Sequence, residues 1–149
     1  MDRNFQVIKV DHVAFATDSI KNSFDIFSKI LGIENTSKEE IENEKVNVLK
    51  FFNQNHLTSI ELIEPTSNKS VIDKFIKNKG KGPHHIALEV DNINNAIAYL
   101  KENKIRLVYD KPQIGSDNKM ITFIHPKSSP GILIELCQNI SSWLLIKNY

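Results

Sequence analysis

Residues 82–100 carry the clearest pattern of hydrophobic and polar positions in the chain. Their sequence, GPHHIALEVDNINNAIAYL, begins with the two-residue alternation of a strand. One face of that strand carries Ile86, Leu88 and Val90, and the other carries His85, Ala87 and Glu89. An Asp-Asn pair follows, and then apolar residues at helical spacing: Ile93, Ala96, Ile97 and Leu100. The stretch therefore predicts a strand that leads directly into an amphipathic helix.

The same pattern occurs earlier in the chain, in residues 10–27 (VDHVAFATDSIKNSFDIF). His12 in this copy and His85 in the later one take equivalent places, 73 positions apart. A second pair of segments, LTSIELIEP and GILIELCQ, also repeats and sets Glu61 and Glu135 at an offset of 74. A repeat at a nearly constant offset predicts two copies of one structural unit.

Each copy predicts the element order β-α-β-β-β. The predicted fold class is therefore α+β, with two βαβββ modules whose curved, mixed sheets form a cup. We expect one domain made of a first module at about residues 6–65, a linker helix at 66–80, a second module at about 81–138 and a tail at 139–149. The tail is apolar around Trp143 and is expected to dock on the domain or on a partner chain.

The element boundaries follow from the same alternation and from turn residues. In the first module we expect strands at residues 6–17, 33–38, 45–52 and 57–64, a helix at 19–31, a solvated loop at 39–44 and a turn at 53–55. The helix at 19–31 is expected to bury an apolar stripe formed by Ile20, Phe24, Phe27 and Ile30. The linker helix is expected at 70–78, with Val71, Ile72, Phe75 and Ile76 buried. In the second module we expect further strands at 105–109, 120–125 and 132–137, with a loop at 112–118.

Strand alternation assigns faces to the four repeated polar residues. His12, Glu61, His85 and Glu135 all fall opposite the apolar rows that helices would cover, whereas His84 falls on the helix-covered face and is expected to be structural. If the sheets of the two modules curve together, the four residues converge in a concave, helix-free cup. A single strand His or Glu is usually structural, but matched pairs at repeat positions favour a shared role.

Two imidazoles and two carboxylates are suitable ligands for a divalent metal ion such as Co²⁺, Mn²⁺, Ni²⁺, Fe²⁺ or Zn²⁺. Four protein ligands on an octahedral ion leave two positions open for two oxygens of one substrate. Such an ion would act as a Lewis acid that stabilises an enolate.

Composition narrows the possible functions. The chain has 149 residues and a formal net charge of +1, which gives no reason to expect binding to nucleic acid or to a membrane surface. Its one cysteine, Cys137, excludes an internal disulfide and fits a reducing compartment. Because the N-terminus also lacks a signal-peptide pattern, the expected location is cytoplasmic.

The paired modules and their His/Glu set resemble the vicinal oxygen chelate superfamily and, within it, the methylmalonyl-CoA epimerase family. The matching segments are VDHVAFA, SIELIEP, GPHHIALEVDNI and HPKSSPGILIEL, and the resemblance covers roughly residues 7–138. It implies that His12, Glu61, His85 and Glu135 are metal ligands. It also implies an acyl-CoA substrate and a homodimer.

The implied reaction is the interconversion of the two epimers of methylmalonyl-CoA through a stabilised enolate. Epimerisation needs two acid/base groups, and Glu135 is the stronger candidate for one of them. Some family members carry a further Glu on the third strand of the first module, but KVNVLKFF has no carboxylate. The second group is then Glu61, Lys50 or a metal-bound water.

Two other functions remain open at this point. One is a glyoxalase I-like lyase, although relatives of that type usually carry a DP-DG turn where this chain has HPK at residues 125–127. The other is a non-catalytic small-molecule binding protein, a class whose members typically lack the His/Glu set. For His125 itself, a role in substrate binding and a plain surface role are equally compatible with the sequence.

Overall fold

The computed structural model describes residues 2–52 and 57–147, and the chain divides into two compact units. Residues 12–84 form one unit. The N-terminal segment up to Asp11 joins the residues from His85 onward in the other. Strand β1, Val7–Ala16, contributes to both, because the division falls between Asp11 and His12.

The unit of residues 12–84 contains the first predicted module. After β1 it comprises α1 (Ile20–Asp25), a π-helical turn (Ile26–Ile30), β2 (Thr36–Ile41), β3 (Val46–Phe51), β4 (Ser59–Pro65) and α2 (Val71–Lys79). The strands lie in the order β2-β3-β4-β1, with β1 and β4 parallel and the other pairs antiparallel. The β-α-β-β-β order is confirmed here.

The first helix is interrupted by a π-helical turn. The Ser19 side chain caps α1 by accepting a hydrogen bond from the Asn22 N–H. The wide turn is closed at its far end by the Leu31 N–H, which donates to the Ile26 carbonyl. This turn shifts the helical register, so Ile30, predicted to be buried, is instead 73% exposed. That part of the predicted apolar stripe was wrong, whereas Phe24 and Phe27 do pack on the Phe51 ring.

The second strand begins later than predicted. Its residues pair with β3 from Thr36 opposite Phe51 to Ile41 opposite Val46, so the first half of the polar segment expected to be a loop, residues 39–41, is strand. Five of the six β2 residues are exposed, which explains why their composition resembled a loop. The turn of this hairpin includes Lys45 at a φ of +57°. The turn predicted at 53–55 lies outside the described residues.

Helix α2 changes one prediction about the site. It begins after Ser70, whose buried hydroxyl accepts a hydrogen bond from the Ile72 N–H. Ile72 is buried, whereas Val71, also predicted to be buried, is exposed. This helix packs against a core cluster that includes Ala14, Ala16, Val46, Val48 and Ile63. These residues share their strand faces with His12 and Glu61, so the predicted helix-free face was wrong in this module.

The other unit contains the second module. Its elements are β5 (Gly82–Val90), α3 (Ile93–Glu102), β6 (Gln113–Ile114), β7 (Lys119–Ile124), β8 (Leu133–Asn139) and α4 (Ile140–Lys147). The first residues of β5, up to His84, belong to the unit of residues 12–84. Their order is β5-β8-β7-β6, with β5 and β8 parallel. The strand predicted at residues 105–109 was wrong: this segment makes a single bridge, Leu107 to Ile124. The short β6 lies in the segment predicted to be a loop.

In both modules, a side chain on the Glu-bearing strand accepts a hydrogen bond from the N–H of the first helix residue. The Ile20 N–H donates to the Glu64 carboxylate at 2.7 Å, and the Ile93 N–H donates to the Gln138 side-chain carbonyl at 2.9 Å. Glu64 and Gln138 both lie three residues after the repeated glutamate. Each helix start, and with it the end of the preceding His-bearing strand, is thereby tied to the Glu-bearing strand. The α+β class with two βαβββ modules is confirmed.

The C-terminal tail docks on its own unit. Ile140 and Trp143 pack against a core cluster that includes Phe5, Val90 and Ile93. This contact confirms the part of the prediction that the tail docks on the domain. Within residues 2–52 and 57–147, no helix is both long enough and apolar enough to cross a membrane.

Candidate metal centre

The first module joins His12 and Glu61 in a buried pair. Parallel pairing of β1 and β4 sets Ala14 opposite Glu61 and His12 opposite Ser59, so the His12 and Glu61 side chains emerge on one face of the sheet. The His12 Nε2 atom lies 3.3 Å from the Glu61 Oε2 atom, and both residues are 2% exposed. The prediction that these two residues share a face is confirmed.

The second module repeats this arrangement. Parallel pairing of β5 and β8 sets Ala87 opposite Glu135, the register of the first module, and His85 opposite Leu133. The His85 Nε2 atom lies 3.1 Å from the Glu135 Oε2 atom, and both residues are buried. The repeat in the sequence thus becomes a repeated His–Glu pair with a short nitrogen–oxygen separation.

The geometry of each pair suits a divalent metal ion. Two ligand atoms that bind one ion at about 2.1 Å and at a right angle lie about 3.0 Å apart, close to both observed separations. A buried carboxylate is costly unless a positive charge compensates it. Neutral imidazole nitrogen and carboxylate oxygen are ligands that divalent transition metals bind well. The residues present therefore fit a divalent metal site.

An aromatic residue supports the second pair. Phe123 lies opposite Glu135 in the antiparallel β7–β8 ladder, and its ring meets the His85 ring edge to face at 5.6 Å. Tyr109 also packs on Phe123, with ring centroids 6.0 Å apart. Because aromatic pairs of this geometry are attractive, Phe123 restricts the orientation of the His85 imidazole. This contact was not predicted from the sequence, because it depends on the β7–β8 register that places Phe123 opposite Glu135.

Strand β3 carries no carboxylate on the face of the first pair. Val46 and Val48 on that face are buried, and Lys50 lies directly opposite Glu61. Asn47 points to the opposite face, where its side-chain amide donates to Glu64 at 3.0 Å. Of the two polar residues considered on this strand, only Lys50 shares the face of the His12–Glu61 pair.

A charged cluster lies farther along the same face of the second module and was not predicted. The Lys119 Nζ atom donates to the buried Asp11 carboxylate at 2.7 Å. Lys9 lies 3.8 Å from Asp11 and 3.5 Å from Glu89. Burial raises the pKa of the neighbouring Cys137 thiol, and the Asp11 and Glu135 charges raise it further. Cys137 is therefore a neutral thiol at physiological pH.

The Asp11–Lys119 pair predicts a loss of stability at high pH. Burial lowers the pKa of Lys119, but the hydrogen bond and the charge of Asp11 more than offset it and raise the pKa above 10.5. A pKa raised on folding adds stability that is full below the unfolded value of about 10.4 and is lost as pH rises through the folded value. The free-energy advantage of the wild type over Lys119→Met should therefore be constant below about pH 10 and shrink as the pH rises further, as measured by urea unfolding from about pH 9 to pH 12. A constant difference across this range would contradict the assignment.

The two remaining histidines in the described residues, His84 and His125, have different surroundings. His84 packs its ring against Phe75 of α2, with centroids 4.8 Å apart, which fits the predicted structural role. In the HPK turn, the His125 Nδ1 atom accepts a hydrogen bond from the Lys127 N–H. Partial desolvation, together with the charges of Arg106 and Lys127, lowers the pKa of His125. His56 lies outside the described residues.

The chain is similar in sequence to one protein superfamily and to several named proteins. The sequence model described as the Glyoxalase/Bleomycin resistance protein/Dioxygenase superfamily matches residues 11–123. The chain is 37% identical to the mitochondrial methylmalonyl-CoA epimerase of Dictyostelium discoideum, over 86% of this chain and 76% of that protein. It is 34% identical to the ethylmalonyl-CoA/methylmalonyl-CoA epimerase of Cereibacter sphaeroides, over 87% of this chain and 97% of that protein.

A solved structure agrees with these relatives. A variant of Streptomyces coelicolor methylmalonyl-CoA epimerase, in complex with 2-nitronate-propionyl-CoA, superposes with a TM-score of 0.84. The sequence identity is 26%, and the match covers 91% of this chain and 97% of that one. The likeness therefore extends over nearly the whole of both chains.

Proposed function

Because the chain belongs to the glyoxalase, bleomycin resistance protein and dioxygenase superfamily, and within it to the methylmalonyl-CoA epimerases, we propose that it interconverts (2R)- and (2S)-methylmalonyl-CoA. The observation that carries the proposal is the duplicated His–Glu pair, with its two buried residues and its short nitrogen–oxygen separation in each module.

We propose that His12, Glu61, His85 and Glu135 together hold one divalent metal ion, namely Co, Mn, Ni, Fe or Zn. When bound, this ion supplies Lewis-acid stabilisation to the negative charge that develops on the thioester oxygen of the substrate. The support is the composition of the ligand set and the equal register of the two pairs. Phe123 contributes by holding the His85 ring in one orientation.

The protein's own carboxylates would move the proton. The α-proton of the substrate lies between a thioester and a carboxylate, and epimerisation removes it from one face of the carbon and returns it on the other. We propose Glu135 for one of these transfers and Glu61 for the other. Both are buried carboxylates, and each is held beside an imidazole.

The test is α-proton exchange. Metal-loaded protein is mixed with (2R)-methylmalonyl-CoA in deuterated water, and proton NMR follows the α-position. We expect loss of the α-proton signal together with formation of the (2S) epimer. Exchange no faster than with metal-free protein would overturn the proposal, and conversion of methylglyoxal hemithioacetal instead would indicate a glyoxalase I-like lyase. If the protein binds no divalent metal at all, the small-molecule binding function is favoured.

Three finer proposals accompany this function. The relative from Cereibacter sphaeroides is named for both ethylmalonyl-CoA and methylmalonyl-CoA, so the same exchange assay with ethylmalonyl-CoA tests the acyl group that this chain accepts. A homodimer is expected from the family resemblance, and analytical ultracentrifugation measures it. The cytoplasmic location expected from the single cysteine stays a prediction.

A further inference from the structure

Lys50 is a charged residue that lies next to the repeated His–Glu pair of the first module. It lies on β3 directly opposite Glu61, where paired residues of antiparallel strands have Cβ atoms about 5 Å apart. Strand alternation sets it on the face of Val46 and Val48, both of which are buried. Lys50 itself is half-buried. Lys50 is therefore the cross-strand neighbour of Glu61 on the face of the His12–Glu61 pair.

The internal repeat gives Lys50 a counterpart in the second module. The residue 73 positions after Lys50 is Phe123, which lies opposite Glu135 in the second module just as Lys50 lies opposite Glu61. The second module therefore has an apolar ring where the first has a cation. The two modules match in their His–Glu pairs but differ in the residue beside each carboxylate.

The apolar setting increases the effect of this charge. Ala14 and Ile63 lie on the same face as Lys50, and both are buried in the cluster that α2 covers. Charge–charge attraction is several-fold stronger at a partly buried site than in bulk water. An ammonium group in this setting binds a carboxylate through short, charge-assisted hydrogen bonds.

We propose that Lys50 is a specificity-determining residue that binds the free carboxylate of the acyl group and makes the site select acidic acyl-CoA thioesters over neutral ones. This inference rests on the proposed function, because it assumes that the His–Glu pairs line the substrate site. It accounts for the difference between the modules: the charged side holds the substrate carboxylate, and the aromatic side orients His85. The role requires only the positive charge and the reach of Lys50.

The experiment compares the binding of two thioesters that differ in one carboxylate. Isothermal titration calorimetry measures the Kd of malonyl-CoA and of propionyl-CoA for metal-loaded wild type, Lys50→Met and Lys50→Arg. We expect Lys50→Met to weaken malonyl-CoA binding by roughly tenfold or more, since a hydrogen bond to a charged group is lost, and to change propionyl-CoA binding by less than about twofold. Lys50→Arg keeps the charge and should retain most of the preference for malonyl-CoA.

Two controls make the result specific. Lys38→Met removes a lysine from the adjacent strand β2, where Lys38 pairs with Leu49 and so points to the opposite face, and it should bind both thioesters like the wild type. Metal content is measured for each variant, so that an effect transmitted through Glu61 is recognised. Equal weakening of both thioesters by Lys50→Met, no weakening of either, or loss of bound metal would overturn the inference.

The outcome is separable from that of the exchange assay, because neither thioester needs to turn over. If the wild type fails to exchange the α-proton but Lys50→Met selectively weakens malonyl-CoA binding, the inference holds and the proposed reaction is wrong. If the wild type exchanges the proton and Lys50→Met binds both thioesters normally, the reaction holds and the inference is wrong.

Discussion

Replacing Glu135 by Gln is expected to slow α-proton exchange of methylmalonyl-CoA by on the order of 10³-fold. The substitution keeps the size of the side chain but removes the negative charge that both binds the proposed metal ion and accepts the proton. Because Glu135 is buried beside His85, at 3.1 Å between Nε2 and Oε2, water has little room to replace it. The rate is measured by NMR in deuterated water, with the metal ion supplied in excess.

A matched control for this prediction is Glu102→Gln, which changes an exposed glutamate at the end of α3 and should leave exchange unaffected. If Glu135→Gln retains more than about a tenth of the wild-type rate at saturating metal, Glu135 does not transfer the proton. Should the rate recover as metal concentration rises, the residue is a ligand without an acid/base role.

Replacing His85 by Ala is expected to lower the affinity for a divalent metal ion by more than about 100-fold, because loss of a residue that supports a ligand already costs 10- to 100-fold. The adjacent residue supplies an unusually close control. His84 follows the alternation to the other face of β5 and packs on Phe75, so His84→Ala should lose packing but keep the metal. Competition with a chromophoric chelator for Co²⁺ measures both affinities.

Equal metal affinities for the two histidine variants would remove His85 from the ligand set. Thermal unfolding distinguishes the two variants further, since His84→Ala should lower the Tm of the metal-free protein, whereas His85→Ala should reduce the increase in Tm that added metal produces. The pair of variants thus separates metal binding from packing at neighbouring positions.

Much of the fold was predictable because the chain repeats itself. Two strands with the same alternation, at a constant offset, determine which side of each strand faces the helix, and a one-residue error in either copy would have destroyed the match. The faces of His12 and His85, and of Glu61 and Glu135, followed from this argument, and within each module the structure brings His and Glu together.

Other features depend on contacts that no local pattern contains. The π-helical turn that exposes Ile30 arises inside a sequence with ordinary helical spacing. Helix α2 covers part of the face that carries His12 and Glu61, because its partners come from three separate strands. The Asp11–Lys119 ion pair joins residues 108 positions apart, at positions where the repeat does not hold, since Lys119 corresponds to Val46 in the first module.

Strand β2 also bears on how copies of this chain can assemble. It is the outermost strand of the first module's ladder, and its exposed residues include Lys38, Glu39 and Glu40. A neighbouring molecule that added a strand there would bring charged side chains into an intermolecular sheet, which disfavours edge-to-edge stacking and fibril growth. Edge pairing through β2 is therefore a disfavoured route to the expected homodimer, and solubility at high protein concentration should fall when Lys38 and Glu40 are both replaced by Val.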